Sequence, residues 1–242
     1  MCFDVDALPP LPPVRGGATD HGPLRLRSAD GTEFLASYAH PDQPSSKGVV
    51  ILPDVRGLHP FYEDLAPRFA DAGAHAVAID YFGRTAGTAP RPEDFPFREH
   101  VGQMKPQQVD EDVAAAVAWL RGLASGTVTS VFTVGFCLGG AMSWRQSAAG
   151  HGLRGCVGFY GRPDRVTDVV AKMKAPLLLL AAGQDHTPVS AVEELAAAVP
   201  VEAEVHVYPA APHSFFDRRF EEHQEACEDA WQRILAFFDR LS

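Results

Sequence analysis

The chain has 242 residues, 46% of them hydrophobic, which suits one α/β domain with a large buried core. Acidic residues outnumber basic ones by 31 to 21, and the formal net charge of −10 gives no electrostatic support for binding nucleic acid. No apolar run reaches transmembrane length, the start of the chain lacks a secretory signal pattern, and four scattered cysteines do not resemble a disulfide framework. We therefore expect a cytoplasmic protein that binds neither nucleic acid nor membrane.

The N-terminal segment differs in composition from the rest of the chain. Residues 1–22 are rich in Pro and Gly, which predicts an extended arm, and residues 23–242 are expected to form a single domain. Two short segments, 24–28 and 33–40, flank an Asp-Gly turn and predict an antiparallel hairpin at a sheet edge.

Short apolar runs then alternate with helical patterns to the end of the chain. This alternation predicts an α/β fold with a mostly parallel central sheet and helices on both faces. The apolar runs cover residues 48–53, 75–80, 128–134, 153–160, 176–182 and 204–208, and the helical patterns cover residues 61–72, 109–123, 187–199 and 220–241.

One segment, 81–107, interrupts the alternation. It contains glycines, prolines and arginines but no long apolar pattern. A connection of this length in a single domain is usually functional or mobile, which favours a lid or a loop that contacts substrate. A plain surface excursion is an equally valid interpretation.

The segment Gly135–Gly140, with the sequence Gly-Phe-Cys-Leu-Gly-Gly, directly follows an apolar run and precedes a helical stretch. We interpret it as a nucleophile elbow, a sharp strand-to-helix turn that presents a reactive side chain. Gly135 and Gly139 lack a Cβ and allow the tight turn, and the N-terminus of the following helix favours a thiolate and an oxyanion. Cys137 is therefore the candidate nucleophile.

Other interpretations of Gly135–Gly140 are weaker or stay open. The spacing is neither that of a dinucleotide-binding loop nor that of a Walker loop, and no Lys follows the glycines, so a phosphate site is set aside. A structural cysteine beside glycines that only close a turn stays open, because Cys is often a small buried hydrophobe.

A thiol nucleophile needs a nearby base, and the base needs an acceptor that orients it. Asp185 follows the run 176–182 and His213 follows the run 204–208, so both belong at the carboxyl edge of a parallel sheet. Alone, Asp185 could start a helix and His213 could be a solvated ring. The order Cys137, Asp185, His213 is that of nucleophile, acid and base in α/β-hydrolases, and it predicts a catalytic triad.

Four short motifs carry a resemblance to a known family: Gly135–Gly140, Phe159–Gly161, Gly183–Asp185 and His213–Phe215. With these motifs the sequence resembles the dienelactone hydrolases, cysteine members of the α/β-hydrolase superfamily, over nearly the whole chain after the arm. The resemblance implies an α/β-hydrolase fold and hydrolysis of small lactones or esters. It also implies Cys137 as nucleophile, His213 as base and Asp185 as the residue that orients the base.

The resemblance implies further parts of the site. Asp54 stands where the family usually has a Glu that holds the resting thiol, so the shorter side chain departs from the pattern. Alternatively, the side chain of Asp54 could only cap the turn before Gly57. The oxyanion is expected to bind the backbone N–H groups of Leu138 and Val55.

A substrate carboxylate is held by arginines in the dienelactone-cleaving members, one of them four residues after the catalytic His. Here that position is Asp217, followed by Arg218. An acid at this place would repel an anionic substrate, which would then depend on Arg98, Arg84 or Arg218 for a positive charge. Each of these arginines is alternatively a solvated surface residue.

The sequence thus predicts a cysteine-dependent hydrolase of small lactones or esters that forms a thioester acyl-enzyme, needs no metal or organic cofactor, and is a monomer or homodimer. Two alternatives stay open. One is a generalist esterase or thioesterase with an altered pocket. The other is a non-hydrolytic thiol protein that binds a ligand or takes part in redox chemistry, although a Cys-x-x-Cys motif is missing from the sequence.

Overall fold

Eight strands form one sheet in the computed structural model, which describes residues 7–92, 94–124 and 126–242. They are β1 (Ala18–Arg27), β2 (Glu33–Pro41), β3 (Lys47–Leu52), β4 (His75–Ile79), β5 (Ser130–Phe136), β6 (Gly155–Phe159), β7 (Leu177–Gln184) and β8 (Ala203–Pro212). Their order is β1-β2-β4-β3-β5-β6-β7-β8, with β2 antiparallel to both β1 and β4 and all other pairs parallel. The predicted mostly parallel sheet and its antiparallel edge hairpin are confirmed.

Helices cover both faces of this sheet, as predicted. They are α1 (Pro60–Asp71), α2 (Gly83–Ala86), α3 (Phe97–Gln103), α4 (Pro106–Arg121), α5 (Leu138–Gln146), α6 (Val189–Ala198) and α7 (Gln224–Leu241). The buried side chains of α1 and α7 pack on one face, and those of α4, α5 and α6 pack on the other. Strands buried on both faces explain the continuous apolar runs in the sequence.

Several boundaries differ from the predicted ones for local reasons. Strand β1 begins at Ala18, so the last residues of the predicted arm belong to the sheet. Helix α4 begins at Pro106, because proline fits the first helical turn, whose N–H groups have no partner within the helix. Strand β8 continues to Pro212 as an edge strand with partly exposed residues, so no apolar run marks its second half. Residues 220–222 form a separate 3₁₀ turn before α7.

The N-terminal arm lies against α7 where the structure describes it. Residues 1–6 of the predicted arm lie outside the described residues. The indole N–H of Trp231 donates to the backbone oxygen of Pro10 at 3.2 Å, and Arg15 pairs with Asp239 at 2.9 Å. The arm from residue 7 onward is thus attached to the last helix.

The segment 81–107 contains α2 and α3 and is anchored by the ion pairs of two arginines, so it is not a structureless connection. Arg91 pairs with Asp80 at 2.7 Å, and their side chains are 2% and 0% exposed. Arg84 pairs with the buried carboxylate of Asp112 at 2.9 Å. These contacts hold the segment against the end of β4 and the side of α4.

The Arg91–Asp80 pair generates a prediction about stability. The substitution Arg91→Ala leaves the carboxylate of Asp80 buried without its cation, and we expect a loss of about 3 kcal/mol in the free energy of unfolding, measured by urea denaturation. Arg98→Ala, in the same segment, is the control and is expected to change stability by less than about 0.5 kcal/mol. Equal effects of the two substitutions would contradict the role given to the buried pair.

Candidate active site

The turn between β5 and α5 holds Cys137 in an uncommon backbone conformation. Its φ is 55°, in the left-handed region that L-residues with a side chain rarely occupy. A Cβ on Gly135 would collide with the backbone oxygen of Gly139, and a Cβ on Gly139 would collide with the backbone oxygen of Leu52 at the end of β3. The two glycines are therefore required by close approach, and they allow the strained turn that a nucleophile elbow needs.

Backbone hydrogen bonds fix this turn on the sheet. The N–H of Cys137 donates to the backbone oxygen of Phe159 in the neighbouring strand at 3.1 Å. The backbone oxygen of Cys137 accepts from Gly140 at 3.1 Å and from Ala141 at 3.4 Å, which starts α5. Cys137 is thus the N-cap residue of that helix, and its thiol lies where the helix dipole favours negative charge.

Asp185 and His213 are brought together by the ends of β7 and β8. The Nδ1 atom of His213 lies 2.8 Å from Oδ2 of Asp185. The other carboxylate oxygen accepts the backbone N–H of His186 at 2.6 Å. Because an ionised carboxylate only accepts, Nδ1 of His213 carries the proton, and Nε2 is then the basic nitrogen of the neutral ring.

The pKa of Asp185 is set by opposing effects. Burial acts to raise it, since the side chain is only 3% exposed. The hydrogen bond from His213 and its charge, together with the backbone N–H groups of His186 and Thr187, outweigh burial and lower the pKa below its ordinary value. Asp185 is therefore ionised at neutral pH and suited to orient an imidazole.

The three predicted triad residues share one cavity of about 530 Å³. Its wall includes Cys137, Asp185 and His213, together with Val55 and Leu138, the two residues whose backbone was expected to bind the oxyanion. The residues come from loops after β3, β5, β7 and β8, which all open at the carboxyl edge of the sheet. A thiol, an imidazole and a carboxylate thus share one cavity wall.

Asp54 and Asp217 lie behind this cavity rather than on its wall. Their residues are 0% and 1% exposed. The hydroxyl of Tyr62 connects them: it accepts the backbone N–H of Asp54 at 3.1 Å and donates to Oδ2 of Asp217 at 3.2 Å. Oδ1 of Asp54 accepts the backbone N–H of Arg56 at 2.8 Å, so Asp54 does cap a turn. Its predicted contact with the thiol of Cys137 stays a prediction.

The pKa of Asp217 is raised to about 7. Burial is the main cause and the negative charge of Asp54 is the second, while His213 and the hydroxyls of Tyr160 and Ser214 act to lower it. We expected Asp217 to repel an anionic substrate, but this carboxyl does not face the cavity and is largely protonated below neutral pH. The residue after it, Arg218, lines the cavity instead.

Two of the three arginines predicted to bind substrate lie off the described wall of this cavity. Arg84 is engaged by Asp30, Glu111 and Asp112, and it does not line the cavity. Arg98 lies in α3 over the ring of its own neighbour Phe97, with its guanidinium carbon 5.9 Å from the ring centroid, and it too is absent from the cavity wall.

Two arginines that the sequence analysis missed line the cavity instead. Arg162 and Arg165 follow β6, and His186 adds a further titratable group to the wall. Arg162 comes directly after the Phe159–Gly161 motif at the end of a strand. A residue directly after a predicted parallel strand could have been recognised from the sequence as a site residue, because loops at the carboxyl edge of a parallel sheet build the site.

The other described cysteines are chemically different from Cys137. Cys156 and Cys227 are buried, and burial raises the pKa of each thiol to about 12. Cys137 is only partly buried and reaches the cavity. A structural role as a buried hydrophobe therefore fits Cys156 and Cys227 better than Cys137.

The described residues bring no group of three or more His, Cys, Asp or Glu side chains together around a point that could hold a metal ion. Within the same ranges, every helix is too short or too polar to cross a bilayer.

Comparison with known proteins adds independent information to this geometry. A profile of the Dienelactone hydrolase family matches residues 34–242. The chain belongs to the dienelactone hydrolase family. It is 28% identical to a carboxymethylenebutenolidase of Rhodococcus opacus, in an alignment that covers 99% of this chain and 97% of that protein.

Solved structures support the same assignment at the level of the fold. The dienelactone hydrolase of Anabaena variabilis superposes with a TM-score of 0.75 at 16% identity, covering 92% of this chain and 98% of the other. The α/β-hydrolase fold expected of a dienelactone hydrolase is thus confirmed. As a member of this family the chain is a carboxylic ester hydrolase.

The raised pKa of Asp217 predicts how stability depends on pH. An unfolded Asp releases its proton near pH 3.8, whereas the native one keeps it to about pH 7. Between these values the native state binds more protons than the unfolded state, so Asp217 makes the free energy of unfolding fall as pH rises. The free energy of unfolding should decrease by at most about 1.4 kcal/mol per pH unit because of this group. We expect Asp217→Asn to remove that decrease.

The measurement is urea denaturation of both proteins at several pH values between 5 and 8. If the amide shifts the free energy of unfolding by the same amount at every pH, that shift does not affect the test, because only the dependence of stability on pH is compared. Parallel stability curves for wild type and Asp217→Asn would contradict the assignment. Asp164→Asn is a matched control, since that exposed carboxyl has a lowered pKa caused mainly by its hydrogen bond with Arg162.

Proposed function

We propose that this dienelactone hydrolase cleaves small esters or lactones with the thiol of Cys137 and passes through a thioester acyl-enzyme. The observation that carries the proposal is the position of Cys137, on a strained strand-to-helix turn at the wall of the cavity that also holds the Asp185–His213 pair. A nucleophile, a base and an orienting acid in one cavity are the parts that covalent acyl transfer needs.

In the first half of the proposed reaction, Nε2 of His213 takes the proton of the Cys137 thiol, and the sulfur attacks the carbonyl carbon. The carbonyl oxygen becomes an oxyanion that binds the backbone N–H groups of Leu138 and Val55. The intermediate collapses, the C–O bond breaks, and the alkoxide takes the proton from His213. An ester releases its alcohol at this point, whereas a lactone opens and keeps the new hydroxyl attached.

In the second half, His213 takes a proton from water while the water oxygen attacks the thioester carbon. A second oxyanion forms in the same place and collapses with loss of the sulfur of Cys137, which regains its proton from His213. Asp185 stays ionised throughout and stabilises the protonated ring. We assign Asp54 the role of holding the resting thiol, from its buried position in the loop after β3.

The charge around the cavity favours an anionic substrate. Arg165 and Arg218 line it, together with Arg162, whose charge is balanced by Asp164, and the only acidic side chain of its described wall, Asp185, is paired with His213. A carboxylate on the ester or lactone would therefore meet a net positive wall. We therefore propose Arg218 and Arg165 as the cations that a substrate carboxylate meets, in place of Arg84 and Arg98.

The non-hydrolytic redox alternative receives less support. A dithiol mechanism needs a second reactive cysteine beside the first. Of the other described cysteines, Cys156 and Cys227 are buried with strongly raised pKa values, and neither lines the cavity. A reducing compartment such as the cytoplasm would keep Cys137 in the thiol form that the proposed reaction uses.

The thiol mechanism predicts the outcome of removing Cys137. With 4-nitrophenyl acetate as substrate, Cys137→Ala is expected to lower kcat/KM by at least about 1,000-fold, because the nucleophile is lost. Acid-quenched wild-type enzyme should show the mass of one acetyl group on the peptide that contains residue 137. Cys156→Ala is the matched control and should retain both activity and adduct. Full activity of Cys137→Ala would end the proposal.

The position of Arg165 on the cavity wall predicts that its removal affects charged substrates selectively. Arg165→Ala is expected to lower kcat/KM about tenfold for an ester that carries a carboxylate and to leave a neutral ester of the same size within about twofold, because one charged hydrogen bond is lost. Arg98 is also exposed but lies off the cavity, so Arg98→Ala should leave kcat/KM unchanged for both esters. Equal losses for both esters would show that Arg165 does not select charge.

A further inference from the structure

A second cavity of about 380 Å³ adjoins the active site. It shares three wall residues with the catalytic cavity, Arg162, His186 and Thr187. We name it the α6 groove, because the rest of its wall is Pro163 and Asp164 from the turn after β6, and Pro188 and Ala191 at the start of α6. Three shared residues make the two cavities neighbouring compartments of one cleft.

The groove is built from rigid backbone. Pro163 begins a 3₁₀ turn, and Pro188 directly precedes the first residue of α6. Proline fixes its own φ, so these two sides of the wall lose little conformational freedom when a ligand binds. The turn is closed by a hydrogen bond from Val166 to Pro163 at 3.1 Å. The groove therefore exists before substrate arrives.

Its surface is suited to an uncharged chain. Pro163, Pro188 and Ala191 offer apolar atoms, and a ligand there would remove them from water. The charges at its rim are Arg162 and Asp164, which pair with each other at 2.5 Å. Arg165, which is not paired in this way among the described residues, belongs to the catalytic cavity and not to the groove.

From this continuity and this lining we infer that the enzyme acts on extended esters or lactones, whose reacting carbonyl lies at Cys137 while an uncharged hydrocarbon arm occupies the α6 groove. The inference rests on the proposed function and adds a substrate class to it. The catalytic cavity alone has a volume within the range of sites for drug-sized ligands. A compact lactone would therefore leave the groove empty, whereas an arm of several carbon atoms would bury apolar surface in it.

The position of Ala191 allows a steric test. Its side chain is small and partly buried at the groove wall, and Ala191 is not part of the catalytic cavity. Ala191→Trp should fill the groove and leave the triad in place. Ala197→Trp places the same indole on an exposed position of the same helix, away from both cavities, and is the matched control.

Two ester series are measured with wild type and both variants: 4-nitrophenyl esters of acetate to octanoate, which lengthen the acyl side, and acetate esters of ethanol to octanol, which lengthen the alcohol side. In at least one series we expect kcat/KM of the wild type to rise by about tenfold or more with length. Ala191→Trp should cancel that rise and keep kcat/KM for the shortest ester within about twofold of the wild-type value. Ala197→Trp should change neither the rise nor the value for the shortest ester.

The results separate this inference from the proposed function. No length preference in either series, or equal losses for short and long esters in a folded Ala191→Trp protein, would overturn the groove inference even if Cys137→Ala is inactive. If Ala191→Trp unfolds, Ala191→Leu gives a smaller obstruction with a graded loss expected for the long ester alone. A length effect together with full activity of Cys137→Ala would retain the groove and overturn the thiol mechanism.

Discussion

The site depends on how closely three backbones approach one another at the end of β5. Gly135 meets the first turn of α5, and Gly139 meets the last residue of β3, each without room for a Cβ. This contact leaves Cys137 in a left-handed conformation between strand and helix. It also sets the loop after β3 beside the start of α5, so that Val55 and Leu138 reach the same cavity. The position of the thiol and that of the proposed oxyanion donors therefore have one structural cause.

Two carboxyls of this region differ in protonation because their burial and their partners differ. The pKa of Asp185 is lowered, whereas that of Asp217, the more deeply buried residue, is raised. A histidine and backbone N–H groups stabilise the charge of Asp185. For Asp217, burial and the negative charge of Asp54 both raise the pKa, and His213 with the hydroxyls of Tyr160 and Ser214 does not offset them. The carboxylate beside His213 therefore stays ionised, and the buried carboxyl of Asp217 keeps a proton up to neutral pH.

The strand ends were predictable from the sequence, whereas the roles of long charged side chains were not. Parallel strands buried on both faces produce apolar runs, and the residues that follow those runs, Cys137, Asp185 and His213, meet at one edge because the sheet is parallel. An arginine carries no such constraint. Arg84 lies in a segment expected to contact substrate, yet Asp112 and Asp30, distant in sequence, engage it. The edge position of β8 likewise hid its second half from the apolar pattern.

The segment 183–188 links the chemistry of this enzyme to its specificity. Asp185 lies 2.8 Å from His213, the next two residues form part of the wall shared by both cavities, and Pro188 directly precedes α6. The backbone N–H of His186 also binds the carboxylate of Asp185. A change in this segment that reshapes the groove would therefore also move the acceptor of the base. Specificity can diverge with least effect on the triad from the far side of the groove, at Ala191 and Pro163, because neither residue contributes to the catalytic cavity.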